Sequence, residues 1–222
     1  MTADGDQPGF KVAIIPVTPL QQNCSLMFND ARGEGVVVDP GGDVPRILSV
    51  IEQTGVSVSA ILLTHGHIDH AGGAAELKEA LGGDVPVIGP DERDRFLLDG
   101  LAEQGRQFGL IGARDCVPDR FLVEGETLDL IGERFEVLHC PGHTPGHLVF
   151  VNRRLGFTLM GDVLFQGSIG RTDFPYGDHR ALLDAIRDKI LPLGDDMGFI
   201  CGHGPGSTIG EERAGNPFLQ GL

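Results

Sequence analysis

The sequence predicts an α/β fold, an αββα sandwich in which two mixed β-sheets pack face to face and helices cover both outer surfaces. Three observations predict it. The elements run β-rich, then α/β, then β-rich, then α/β, which describes two similar halves, each a sheet with its own helices. Some strands are continuous apolar runs, the pattern of strands covered on both faces. The intervening helices are amphipathic and need a sheet to bury their apolar side.

Taken in order, residues 11–17, 23–29 and 35–39 are short, β-branched and apolar, separated by Pro, Asn-Asp and Gly, and read as a meander of three strands. Residues 44–54 place Val44, Ile47, Leu48 and Ile51 at helical spacing, and residues 56–64 follow as a buried strand that ends at His65. A helix over 73–81 closes on Gly82-Gly83, a strand covers 85–88, and an acid-capped helix covers 91–104. The Gly-rich stretch 105–119 receives no element. Strands are predicted over 127–130, 134–140, 147–152 and 157–161, a helix over 180–191, a strand over 197–201 and a short helix near 209–214.

The 222 residues are 41% apolar and 22% charged, enough to bury a core, so one domain over 1–222 is expected, with residues 1–9 as a disordered tail. Seventeen basic against 32 acidic residues leave a net charge of −15, which repels phosphate backbones and anionic lipid and speaks against nucleic acid as a partner. No stretch reaches the roughly 18 apolar residues of a membrane span, and residues 1–9 lack the basic start and apolar centre of a signal peptide. No membrane association is expected. Cys24, Cys116, Cys140 and Cys201 are far apart with no CxxC pair, which fits reduced thiols in a cytoplasmic protein rather than a disulfide scaffold. The sequence shows no repeat and fixes no oligomeric state.

The chemistry concentrates in Thr64-His65-Gly66-His67-Ile68-Asp69-His70, directly after a buried strand. Three imidazoles and a carboxylate within six residues are N/O ligands suited to zinc, iron or manganese. Gly66 offers no packing reason for the cluster, so a metal site is the better reading. Further candidates each follow a predicted strand beside Gly or Pro: His143, Asp162 and His203. Two metals about 3.5–4 Å apart need ligands from several strand ends and a bridging carboxylate. Asp162, the acid at such a terminus, is the natural bridge. Five His and two Asp fill two sites and leave a position for water.

In these residues, in that order, the chain resembles the metallo-β-lactamase fold superfamily over nearly all of residues 11–218. Within it the sequence is most similar to the glyoxalase II-like hydrolases (hydroxyacylglutathione hydrolase) of the short bacterial kind without a C-terminal helical domain. That similarity rests on Gly161-Asp162-Val163-Leu164-Phe165, Gly170-Arg171-Thr172-Asp173-Phe174-Pro175 and Gly202-His203-Gly204-Pro205-Gly206-Ser207-Thr208. The resemblance implies metals at the sheet edges. His65, His67 and His143 would hold one divalent ion, Asp69, His70 and His203 a second, and Asp162 would bridge them, with zinc the first choice and iron or manganese also accepted. Asp69 and Asp162 would be the catalytic carboxylates. A metal-bound hydroxide would attack a thioester, S-D-lactoylglutathione or a related acyl-glutathione, releasing a carboxylic acid and a thiol.

The family holds glutathione partly through a Lys and an aromatic residue two positions later in the loop after the bridging Asp. Here Arg171 and Asp173 stand at those positions. Arg171 can pair with a glycyl carboxylate or, locally, with Asp173. Tyr176, the single tyrosine, follows in the same loop and is a candidate substrate contact.

The run Gly170-Arg171-Thr172-Asp173-Phe174 also resembles persulfide dioxygenases, which would use one iron on His65, His143 and Asp162 to oxidise glutathione persulfide. The Gly202-His203-Gly204-Pro205-Gly206 loop favours the hydrolase. Net charge counts against a nuclease, and a complete ligand set counts against a metal-binding regulatory module. Of the remaining groups, Asp39 and His147 are placed to support ligand histidines. His139, His179 and Cys201 read as structural, with Asp178 as the cap of the helix that follows it.

Overall fold

The computed structural model describes residues 9–110 and 112–222, so all but the last residue of the tail expected over 1–9 lies outside them. Strands β1 (Phe10–Val17), β2 (Gln22–Asn29) and β3 (Glu34–Val38) form the antiparallel meander. Helix α1 (Val44–Thr54) carries the chain to β4 (Ser57–Leu62), parallel to β3. Pro45 sits in the first turn of α1, Val44, Ile47 and Ile51 are its buried stripe, and Gly55 ends it at φ 70° with its N–H on the Ile51 and Glu52 carbonyls. Helices α2 (Ile68–Ala71) and α3 (Ala74–Ala80) then lead to β5 (Val87–Ile88), parallel to β4. Helices α4 (Arg95–Leu98) and α5 (Leu101–Phe108) complete the first half.

The second half contributes β6 (Thr127–Leu130), β7 (Glu133–His139), β8 (Leu148–Asn152) and β9 (Phe157–Gly161), all antiparallel neighbours. After a hairpin of β10 (Leu164–Phe165) and β11 (Ser168–Ile169), helix α6 (His179–Ala185) crosses over to β12 (Gly198–Cys201), parallel to β9. Strand β13 (Ser207–Thr208) pairs with β12, and α7 (Ile209–Gly215) starts on a Thr208–Glu211 capping box. Five strands in the order β1-β2-β3-β4-β5 make one sheet and six in the order β13-β12-β9-β8-β7-β6 the other.

Strand periodicity explains why these sheets stack. Val36 and Val38 of β3, Ala60 and Leu62 of β4, and Phe135, Val137, Leu148, Phe150 and Leu159 of the second sheet share one buried cluster between the sheets. The alternate residues Val37 and Ile61 pack with Ile47, Ile51 and Leu77 of the helices outside the first sheet. Val149 and Val151 do the same with Leu182, Ile186 and Ile190 outside the second. The expected αββα sandwich is therefore formed. No helix among the described residues is long and apolar enough to cross a membrane.

Local differences from the sequence expectations have local causes. The helix expected over 91–104 is broken into a 3₁₀ turn at Glu92–Asp94 and the two helices α4 and α5, with Gly100 capping the second. Asp91 does cap, accepting from Arg93 N, but Asp94 turns its carboxylate inward to other loops. The helix expected over 180–191 runs as α6 into a π turn at Ile186–Ile190 and a 3₁₀ turn at Leu191–Leu193. Pro192, which has no N–H to donate, sits in that last turn. Strands β10, β11 and β13 are two residues each, too short to leave a periodic signal.

Phe150 is fully buried between the sheets. Phe150→Ala is expected to cost about 3–5 kcal/mol of stability, measured as a lower denaturant midpoint with an unchanged slope.

Candidate metal centre

Each candidate ligand sits where a strand ends at one edge of the sandwich. β4 runs into Thr64-His65, β7 into the loop that carries His143, β9 ends at Gly161 just before Asp162, and β12 ends at Cys201 two residues before His203. The motif itself forms α2, which places Asp69 and His70 one turn beyond His67. Main-chain bonds draw the two sheets together here: Leu148 N donates to Thr64 O (2.8 Å) and Asn23 N to Gly202 O (2.7 Å). The backbone at Gly202 approaches so closely that a Cβ there would lie 2.0 Å from Asp162 Oδ1.

The seven residues converge. His65, His67 and His143 bring their ligating atoms within 4.8 Å of one another, as do His65, His70 and Asp162, and as do Asp69, His70 and His203. Asp162 lies between the groups. Its Oδ1 is 3.3 Å from His70 Nε2, and its Oδ2 is 3.5 Å from His143 Nε2 and 3.7 Å from His203 Nε2. His203 Nε2 also stands 3.1 Å from Asp69 Oδ2.

Every histidine of the group has its outward nitrogen engaged by a separate partner. Thr64 Oγ1 donates to Asp39 Oδ2 (2.7 Å) and so accepts from His65 Nδ1 (3.0 Å). His70 Nδ1 donates to Asp39 Oδ2 (2.9 Å), His143 Nδ1 to Arg171 O (2.8 Å) and His203 Nδ1 to Leu20 O (3.2 Å). His67 is turned the other way, its Nε2 2.9 Å from the Tyr176 hydroxyl. Carbonyl and carboxylate acceptors demand an N–H, so His65, His143 and His203 turn a bare Nε2 inward, while His67 presents its Nδ1, 3.1 Å from His65 Nε2.

The electrostatics agree with that arrangement. Burial holds His65 and His143 below the ordinary histidine value and takes His67 down to about 3, so these three are neutral imidazoles at pH 7. Burial alone would raise Asp162, but His70, then His143 and His203, hold its carboxylate well below the usual range. Burial would lower His70, yet the charges of Asp162 and Asp69 push it well above, so the metal-free cluster draws a proton into its centre. His70 Nε2, His143 Nε2 and Asp162 Oδ1 are buried without a hydrogen-bond partner. Imidazole nitrogens and carboxylate oxygens buried around one point, three of them without a full hydrogen bond, fit a divalent cation.

The flanking loop carries the two candidate substrate residues. Arg171 forms a bidentate ion pair with Asp173 (3.0 and 3.0 Å) and lies 5.0 Å above the Phe174 ring. Phe174 packs on His67 at 4.9 Å and stacks with Tyr176 at 5.4 Å. Tyr176 therefore touches His67, a contact the sequence did not announce, and burial pushes its phenol up to about 12. Asp39 supports His65 and His70 from the end of β3. His147 accepts from Asp162 N (2.9 Å) and stacks on His65 at 4.6 Å. Asp178 caps α6 through Ala181 N, and His139 bonds Pro145 O (2.7 Å). Gly66, read as having no packing role, is in fact enclosed: a Cβ would lie 2.8 Å from Leu97 Cβ and 3.0 Å from Asp94 O.

Two sheets with a ring of His and Asp at their shared edge define a metallo-hydrolase architecture, and comparison with known proteins gives its family. The sequence profile of the metallo-beta-lactamase superfamily matches residues 17–203, and the chain belongs to that superfamily. It is 49% identical over 209 residues to the hydroxyacylglutathione hydrolase GloC of Haemophilus influenzae, covering 94% of this chain and 97% of that protein. Among solved structures it is similar to BLEG-1, a B3 metallo-beta-lactamase, with TM-score 0.86 and 37% identity over 95% of this chain and 100% of that one. It is also similar to TTHA1623 in a di-iron-bound form, with TM-score 0.82 and 38% identity over 93% and 100%. The chain is a hydrolase of the glyoxalase II-like kind, in a superfamily whose fold binds divalent metal.

Asp162 faces ligand atoms of both outer triads. Asp162→Ala is expected to leave at most one ion bound per chain, measured by elemental analysis after equilibrium dialysis. Two tightly held ions in that variant would show that Asp162 does not bridge.

Proposed function

We propose that this chain hydrolyses a thioester, S-D-lactoylglutathione or a related acyl-glutathione, at two divalent ions held by the seven residues. The observation that carries the reading is the set of inward lone pairs and carboxylates arranged as two triads, His65/His67/His143 and Asp69/His70/His203, with Asp162 between them. The name of the GloC relative supports the substrate class. Zinc is the ion we assign first, since three protein ligands and an open position suit it, with iron or manganese accepted by the same donors.

Ions bound there supply Lewis acidity toward the thioester carbonyl and an acidified water, with a pKa near 7, as nucleophile. The chain's own residues do the rest. Asp69 and Asp162, the catalytic carboxylates, remain ionised and offset the charge of the site. Asp39, Thr64, Tyr176 and the carbonyls of Leu20 and Arg171 hold the imidazoles in the tautomer that ligates. Phe174 and Tyr176 cover the His67 side, excluding water there and leaving the His203 side open, where that ring is 31% exposed. Water adds to the carbonyl carbon, the C–S bond breaks, and the products are a carboxylate and a thiol.

Two further observations support the wider assignment. Both halves of the sandwich contribute ligands, which favours one domain as the working unit. The four cysteines are free and buried, in keeping with a reducing cytoplasm. The Asp69/His70/His203 group favours this reading over an iron persulfide dioxygenase, which would leave those three residues without an ion.

The test is hydrolysis of S-D-lactoylglutathione by metal-loaded protein beside a metal-stripped control, followed as loss of the thioester. Metal-dependent turnover is expected. None in protein shown to carry both ions would overturn the substrate assignment. Because Asp173 occupies the Arg171 guanidinium, Asp173→Asn is expected to lower KM for an acyl-glutathione roughly two- to fivefold, the modest scale of an exposed ion pair, with kcat unchanged.

A further inference from the structure

Asp94 is fully buried, yet it touches none of the seven ligand side chains through a hydrogen bond. Its carboxylate accepts three hydrogen bonds instead. Oδ2 takes Gly66 N at 2.9 Å and Thr144 Oγ1 at 2.7 Å, and Oδ1 takes Gly146 N at 2.5 Å. Gly66 lies between His65 and His67, while Thr144 and Gly146 follow His143. The neighbouring backbone strengthens the joint, since Asp91 N donates to Gly146 O at 3.2 Å and Asp94 N to Asp91 O at 3.0 Å. A Cβ on Gly146 would lie 2.7 Å from Asp94 N, so the loop is seated against this turn.

The two loops come from different sheets, one after β4 and the other between β7 and β8. Two members of the three-histidine group stand on the first loop and the third on the second, so the spacing within that group depends on what ties the loops together. Asp69 and His70 stand on α2, past the Gly66 joint, and His203 after β12; His70 is held by Asp39, His203 by Leu20 O and Asp69 by His203. All three partners of Asp94 donate, so an ionised carboxylate is what the joint requires.

We propose that Asp94 is a positioning residue for the His65/His67/His143 site alone, clamping its two loops at ligating distance while leaving the Asp69/His70/His203 site untouched. The proposal rests on the metal reading of the cluster, and the test separates the two. Zinc affinity is measured by competition with a chromophoric chelator in two backgrounds: His203→Ala, which leaves the three-histidine group intact, and His143→Ala, which leaves the other. Asp94→Asn keeps the size of the side chain but turns an NH₂ toward Gly146 N–H. In the His203→Ala background it is expected to weaken zinc binding about 10- to 100-fold, the usual effect of losing support behind metal ligands. In the His143→Ala background the change is expected to stay within about threefold. Thr144→Val, close to Thr in shape, removes one of the three bonds from the other side and is expected to show the same selectivity with a smaller loss. It serves where Asp94→Asn fails to fold, as judged by circular dichroism of the metal-free protein. Equal loss in both backgrounds would assign Asp94 a general structural role, and no loss in either would assign it none. Both outcomes overturn the proposal. Failure of the unsubstituted protein to bind zinc would overturn the metal reading and this one with it.

Discussion

Two main-chain hydrogen bonds, Leu148 N to Thr64 O and Asn23 N to Gly202 O, join the sheets at the edge where the ligands stand. Side-chain packing between the halves tolerates small shifts that a cluster of converging side chains does not. Backbone bonds at about 2.7–2.8 Å fix the strand ends within tenths of an ångström. Bound carboxylates add further ties across the same edge, Asp39 on the β4 side and Asp94 between the two loops. The geometry of seven side chains thus follows from where a few strand ends are pinned.

A cluster built this way is costly to the empty protein. Four imidazoles and Asp162 are removed from water, His203 and Asp69 in part, and three of their polar atoms have no partner. His70 relieves part of this by taking a proton among the carboxylates, which explains why its pKa rises while those of its neighbours His65 and His67 fall. A divalent cation at the same point meets the lone pairs as well as the negative charge, which one proton cannot. Metal binding and stability are consequently coupled, since an ion that binds the native cluster and not the open chain stabilises the fold by mass action.

The sequence made the candidate ligands legible because they carry a local signature. His65, His67, Asp69 and His70 lie within six residues, and His143, Asp162 and His203 each follow a strand whose apolar run is visible. The sandwich was legible for a related reason, since period two in the strands and the stripe of α1 both declare a buried face. The supports of the site left no comparable trace. Asp94 acts on residues 28, 50 and 52 positions away, and Tyr176 reaches His67 across 109 positions. Such pairings depend on the tertiary fold, so Asp94 reads in the sequence as one more acid in a helix start. The same carboxylate, turned inward, accompanies the break of that predicted helix into a 3₁₀ turn and two short helices.

The separation between ligands and their surroundings bears on how one fold serves different substrates. A hydroxyacylglutathione hydrolase and a B3 metallo-beta-lactamase are both similar to this chain over more than nine-tenths of its length. Attack on a carbonyl calls for the same nucleophile and carbonyl polarisation in both reactions, but an amine must gain a proton to leave where a thiolate need not, so discrimination draws on the groups that border the cluster. Here that border is the loop from Gly170 to Gly177, whose main chain holds His143 and whose side chains face outward as an aromatic stack and a closed Arg171–Asp173 pair. The loop anchors His143 through its backbone, so Arg171 and Asp173 can change without disturbing that contact, whereas Phe174 and Tyr176 also hold His67. Substitution at the exposed Arg171–Asp173 pair therefore leaves the buried His and Asp geometry in place.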